Sequence, residues 1–144
     1  MRSFEDYLNE GVVKTIKKDR QRANSLVIEA ERKISSLKES IEKIGIRNDN
    51  ANDYIEHCYD AIMFLVRAKL FLDGYLCSGQ GAHEAEVSFM ANLGFSERDI
   101  DFADKLRYFR NSILYYGKQL DAEYAKKVIE FTKKIYPKLK DLIK

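Results

Sequence analysis

Cys58-Tyr59-Asp60-Ala61-Ile62-Met63-Phe64-Leu65-Val66-Arg67-Ala68-Lys69-Leu70-Phe71-Leu72 is the stretch on which the fold turns. Wound at about 100° per residue, it carries two apolar stripes. One is Cys58, Ala61, Leu65, Ala68 and Leu72; the other, about 150° away, is Tyr59, Met63, Val66 and Leu70. Phe64 and Phe71 add a third patch, and only Glu56, Asp60 and Arg67 form a polar strip. A helix apolar on most sides is central in its own fold or buried again by a partner. The pattern extends the helix from a cap at Asp49 or Asn50 to about Cys77. One bundle can hardly bury two opposed faces, so a homodimer is expected, with one stripe against a symmetric copy.

Helical periodicity continues on both sides, and no alternating strand pattern competes with it. Ser3 to Asn9 forms an initial turn or helix, with Gly11 a break. Ala23, Leu26, Val27, Ala30, Ile34, Leu37, Ile41 and Ile44 mark a long helix closed by Gly45. Ser78-Gly79-Gln80-Gly81 connects to a shorter helix from about Ala82 to Asn92. Ser96-Glu97-Arg98-Asp99 resembles a capping box and opens a helix with a stripe of Phe102, Leu106, Phe109, Ile113 and Tyr116, closed by Gly117. Asp121 caps a last helix on Tyr124, Val128, Phe131, Ile135, Leu139 and Leu142, which Pro137 should kink or rob of one hydrogen bond. The expected fold is all-α: a single domain over residues 1–144, an antiparallel up-and-down bundle of four to five helices.

With 25 basic and 23 acidic side chains the formal charge is +2, too near balance to argue nucleic-acid binding from net charge. The basic runs at Lys14–Arg22 and Lys133–Lys144 read as solvated helix faces. Cys58 and Cys77 fall on one expected helix, about 28 Å apart at 1.5 Å per residue, which excludes a disulfide if that helix is continuous. No apolar leader or membrane-length run appears, so a reduced, cytoplasmic protein is expected, with no membrane partner, metal or cofactor.

Chemistry concentrates in Arg110-Asn111-Ser112-Ile113-Leu114-Tyr115-Tyr116-Gly117. Projected on a helix, Asp104, Arg107, Tyr108, Arg110, Asn111 and Tyr115 share a face opposite the Phe102–Tyr116 stripe. Two guanidinium forks, an amide and phenols suit an anion such as phosphate. The bland alternative is a salt-bridged surface, with Arg107 satisfied by Asp104.

The order of elements, together with Phe109-Arg110-Asn111-Ser112-Ile113-Leu114-Tyr115-Tyr116-Gly117 before the final helix, resembles the HEPN family over roughly residues 4 to 143. The resemblance implies a helical bundle that pairs as a homodimer. It also implies an arginine, then Asn, Asp or His, then a histidine four to six residues after the arginine. Members with the full motif are metal-independent RNases, often toxins paired with a nucleotidyltransferase-like antitoxin. Arg110 matches the motif arginine and Asn111 the polar residue after it, while Tyr115 stands where the histidine should be. An imidazole with pKa near 6.5 exchanges protons at neutral pH and a free phenol near 10 does not, so binding at the arginine is expected to outlast catalysis.

His57 and His83 lie away from the motif spacing, and His83 keeps a route to the Arg110 cleft from another element. Three readings follow. In the first, a HEPN-like homodimer binds RNA or a nucleotide through Arg107, Tyr108, Arg110, Asn111 and Tyr115, as part of a toxin–antitoxin or related defence system, with nuclease activity weak or lost. The second is an active RNase using Arg110, Asn111 and Tyr115, or His83. The third is a non-enzymatic bundle that partners a nucleotidyltransferase.

Overall fold

The computed structural model describes residues 1–143, as α1 (Phe4–Asn9), β1 (Val13–Thr15), α2 (Arg20–Ile44), α3 (Ala51–Asp73), β2 (Tyr75–Cys77), α4 (Ala82–Asn92), α5 (Glu97–Tyr116) and α6 (Ala122–Asp141). It is a helical bundle of six helices with one two-stranded ribbon, where four to five helices and no strand were expected.

α3 is the axis of the bundle, and α2, α4, α5 and α6 all pack on it. Both of its apolar stripes are buried inside one chain up to the half-buried Leu72: Cys58, Ala61, Leu65, Ala68 and Val66 are fully enclosed, and Tyr59, Met63 and Leu70 nearly so. Each large apolar side chain withdrawn from water in this way contributes about 1.5–3 kcal/mol. The apolarity of α3 therefore does not by itself call for a second copy. The polar strip is where α3 stays uncovered, for Glu56, Asp60 and Arg67 are all half-buried.

α2 approaches α3 through small residues. Ala23 and Ala30 on α2 and Ala51, Ala61 and Ala68 on α3 are completely buried, and Ala23, Ala68 and Phe71 form their own cluster. Asn50 precedes α3 as its cap residue but makes no side-chain cap bond. Its side chain instead closes the preceding turn, donating to the Gly45 carbonyl at 3.0 Å and accepting from the Arg47 amide at 2.8 Å.

α3 ends four residues before the expected boundary. Gly74 turns left-handed at φ +86° and accepts from the Ile16 amide at 2.8 Å. A β-carbon there would stand 2.9 Å from the Ile16 carbonyl oxygen, so glycine is required. Tyr75–Cys77 then pairs antiparallel with Val13–Thr15, Val13 opposite Cys77. Cys58 and Cys77 thus do not share a helix, and both are free thiols.

The remaining boundaries follow ordinary capping chemistry. Ser3 and Asp6 form a reciprocal capping box at α1. Ser96 accepts from the Asp99 amide, but Asp99 gives its carboxylate to Lys134 at 2.8 Å, so only half a box forms. Asp121 caps α6, which continues through Pro137 to Asp141. Among the described residues no helix is long and apolar enough to cross a membrane.

Candidate functional site

The side of α5 that packs on the bundle is not the side the sequence suggested. Ile100, Ala103 and Leu106 are its buried apolar residues, with Phe102 and Ile113 packed at one edge and Phe109 half-buried beside them. On a helical projection the buried set centres within about 20° of Arg110. Arg107 and Arg110 consequently point toward α3 and α4 rather than away from the core. The stripe read from Phe102 to Tyr116 is an edge, and Tyr116 at its end is 85% exposed. The aliphatic Ile100 and Ala103 mark the true centre, and an aromatic-led reading passes over them.

The arginines of the cluster meet very different surroundings. Arg107 donates through Nε to Asp104 at 2.9 Å, and its Nη1 stands 3.8 Å from Glu84 on α4. It has two carboxylates. The pair with Asp104 is the one the salt-bridged alternative expects, and Glu84 adds to it. Arg67 on α3 makes two bonds to the buried Glu86, at 2.6 and 3.0 Å, and His83 Nδ1 lies 3.2 Å from the same carboxylate. Burial acts to raise the Glu86 carboxyl, but the bonds from Arg67 and His83 outweigh it and hold the group below its ordinary value.

Arg110 is the poorly satisfied one. Its Nη2 reaches Asp60 at 3.4 Å, its Cζ lies 5.5 Å from the Tyr59 ring centroid, and its Nε is buried with no hydrogen-bond partner. Asp60 is shared, since its other oxygen lies 3.8 Å from Lys33 Nζ on α2. Lys33 and Arg67 both sit about 6 Å from the Phe64 ring, at 6.0 and 5.9 Å. So the open strip of α3 has Asp60, Phe64 and Arg67 along its floor, Lys33 leaning in from α2 and Arg110 from α5. Tyr59 beneath stays a neutral phenol: burial first, then Glu86, pushes its pKa up, against the opposing pull of Arg110, Arg107 and Arg67.

Toward its end α5 leaves the bundle. The loop after it is tied to the turn before α3: Asn52 donates to the Lys118 carbonyl and accepts from the Leu120 amide, and Asn48 accepts from the Ala122 amide. That anchoring holds the last turn of α5 in place while Tyr108, Leu114, Tyr115 (75% exposed) and Tyr116 face outward. Asn111, half-buried, makes no side-chain hydrogen bond to any described residue.

Of the residues singled out by sequence, then, Arg107 and Arg110 converge on α3 and α4, whereas Tyr108 and Tyr115 lie on the outer side of α5 with Asn111 between them. The sequence motif does not include Lys33, Asp60, Phe64, Arg67 or Glu86. Asp60 and Arg67 were visible as a polar strip, but nothing local ties Lys33 to a motif so far along the chain. No protein-family model matches this chain, and no curated protein sequence matches it either.

Proposed function

We propose that this chain is a HEPN-like homodimeric protein that binds single-stranded RNA or a nucleotide at the α5 face, as a component of a toxin–antitoxin or related defence system, with nuclease activity weak or lost. The observation that carries the reading is Arg110. A guanidinium offers five donors and cannot give up its charge, yet here it has one long contact and a buried, unpartnered Nε. Buried donors are normally satisfied, and an unsatisfied one calls for an explanation. A ligand phosphate accepting from Arg110 supplies one. Asn111 adds a free amide, and Tyr108 and Tyr115 expose rings on which bases can stack, at about 1–3 kcal/mol each.

The exposed Leu114, Tyr115 and Tyr116 favour the dimer more directly than α3 does, because large apolar side chains grouped at one helix end are surface that a second copy can cover. The same patch suits a nucleotidyltransferase-like partner, the second reading. Loss of nuclease activity is argued from chemistry: position 115 carries a phenol in place of an imidazole.

The test is a titration of fluorescein-labelled oligouridylate into wild type and Arg110→Ala at low and moderate salt. Binding should weaken with salt and drop sharply in the variant. Equal binding by the two proteins sinks the reading and leaves the partner-protein alternative. Metal-free RNA cleavage abolished by Arg110→Ala would restore the active RNase, and light scattering of a monomer at tens of micromolar would remove the homodimer.

A further inference from the structure

Asp60 is stretched between two cations from different helices. Its contacts, 3.4 Å to Arg110 and 3.8 Å to Lys33, are long beside Lys134–Asp99 at 2.8 Å, Lys69–Asp73 at 2.9 Å and Arg67–Glu86 at 2.6 Å. The charge count runs the same way. Arg107 has two carboxylates and Arg67 has one of its own, but Lys33 and Arg110 divide a single one. Lys33 also lines a cleft of about 440 Å³ with Ser36 and His57, which opens its side chain to solvent but is not lined by Asp60 or Arg110. The arginine and carboxylates lining that cleft face other work: Arg32 pairs with Glu29, and Glu39 with Lys43.

We infer that Lys33 is the second half of the phosphate site centred on Arg110, and that Asp60 is its internal competitor, holding both cations until a phosphate takes them over. The inference rests on the anion-binding reading above and extends it to α2 and α3. Lys33 and Arg110 are both within 4 Å of one carboxylate, a gap that one phosphate or two neighbouring ones can bridge. A phosphodiester brings two charged acceptor oxygens, as Asp60 does, and a terminal or inorganic phosphate brings three, so either can take the place of the carboxylate between the two cations. Phe64, within about 6 Å of Lys33 and of Arg67, gives the strip an apolar floor on which a base or sugar can rest. Glu56 lies one turn from Asp60 on the same strip and makes no ion pair among the described residues, so it repels an anion without restraining a cation.

The experiment compares charge-matched variants by anisotropy of fluorescein-labelled oligouridylate, with UMP and inorganic phosphate as competitors to separate a polymer site from a simple phosphate site. Lys33→Ala should weaken binding on the order of tenfold and lower the salt slope by about 0.7, the value for one phosphate contact on a single strand. Arg32→Ala removes the same charge one residue away, on the exposed side, and should weaken it less than about twofold. Asp60→Asn should tighten binding on the order of tenfold, as expected for removing a negative charge within a few ångström of the ligand, and Asp60→Ser should do the same. Glu56→Gln, with equal charge removed but no cation released, should tighten it less than about threefold. Asp60→Asn binding no tighter than wild type, or Lys33→Ala indistinguishable from Arg32→Ala, overturns the inference. If Arg110→Ala still loses binding in that case, the wider reading stands without it. If Arg110→Ala binds like wild type, both fall.

Discussion

Replacing Arg67 by methionine keeps most of the side-chain bulk and removes the charge that holds Glu86. The carboxylate is only 4% exposed, so it cannot stay ionised and unpaired at low cost. Its least costly response is to take up a proton. From the ordinary value of 4.5, protonation at pH 7 costs about 3.4 kcal/mol at 1.36 kcal/mol per pH unit, which caps this part of the loss. At pH 5 the same cap is about 0.7 kcal/mol. His83, 3.2 Å from Glu86, keeps one bond to it, so this part of the loss should fall somewhat below its cap. Wild type behaves oppositely. Its Glu86 is held below the ordinary value, so the stabilisation is present above the unfolded pKa and is lost only as pH falls through the folded one. Urea unfolding of both proteins at pH 7 and pH 5 should therefore show a deficit that is larger at pH 7 by about 2–3 kcal/mol. Glu86→Gln should cost less, about 1–2 kcal/mol, since the stranded guanidinium is 29% exposed and water can reach it. A deficit of the same size at both pH values, or a larger cost for Glu86→Gln than for Arg67→Met, would refute the reasoning.

Gly74→Ala should destabilise by at least about 2 kcal/mol in the same urea assay, because it forces alanine into a left-handed conformation and sets its β-carbon 2.9 Å from the Ile16 carbonyl oxygen. A loss below about 0.5 kcal/mol would mean that the turn can reshape. Both thiols should react slowly with Ellman's reagent at pH 8 in the native protein and rapidly in urea. Burial pushes Cys58 up to about 11 despite a bond from Thr132, and burial with Glu86 pushes Cys77 up to about 12, leaving little thiolate. One equivalent reacting at the rate of a free thiol would contradict the packing around that cysteine.

Helix by helix, the bundle was legible because each helix carries its own periodicity and its own cap. Ser3, Gly45, Ser96, Gly117 and Asp121 all mark real boundaries. What was missed is non-local. Two three-residue strands are too short to show an alternating pattern, so Tyr75–Cys77 read as a continuation of α3 although Gly74 interrupts it. Whether one chain could cover both faces of α3 depends on four other helices arriving around it, which no single stretch reveals. At the candidate site, Arg107 and Arg110 stand out from residue type and spacing alone. Their orientation does not, because Ile100 and Ala103 set which side of α5 turns inward. Lys33–Asp60–Arg110 joins three helices, and Arg67–Glu86 joins two; each pairing exists only once the chain is folded.

The ribbon of β1 and β2 has a consequence for how the chain closes on itself. Counted along the sequence, Thr15 and Tyr75 are separated by two long helices, and the entropy of loop closure rises with such a separation. Counted through space, the distance is short. Once α2 and α3 zip together, the start of one lies beside the end of the other, with the Asp19 amide bonded to the Phe71 carbonyl at 3.0 Å. Only Ile16 to Asp19 and Gly74 then remain between the strands and the hairpin. Shortening the effective loop from about sixty residues to about four removes roughly 2 kcal/mol of closure entropy. Three residue pairs are too few to nucleate a sheet unaided. The ribbon is a clasp that the helical hairpin brings together, and it in turn fastens the N-terminal segment to the far end of the molecule's central helix.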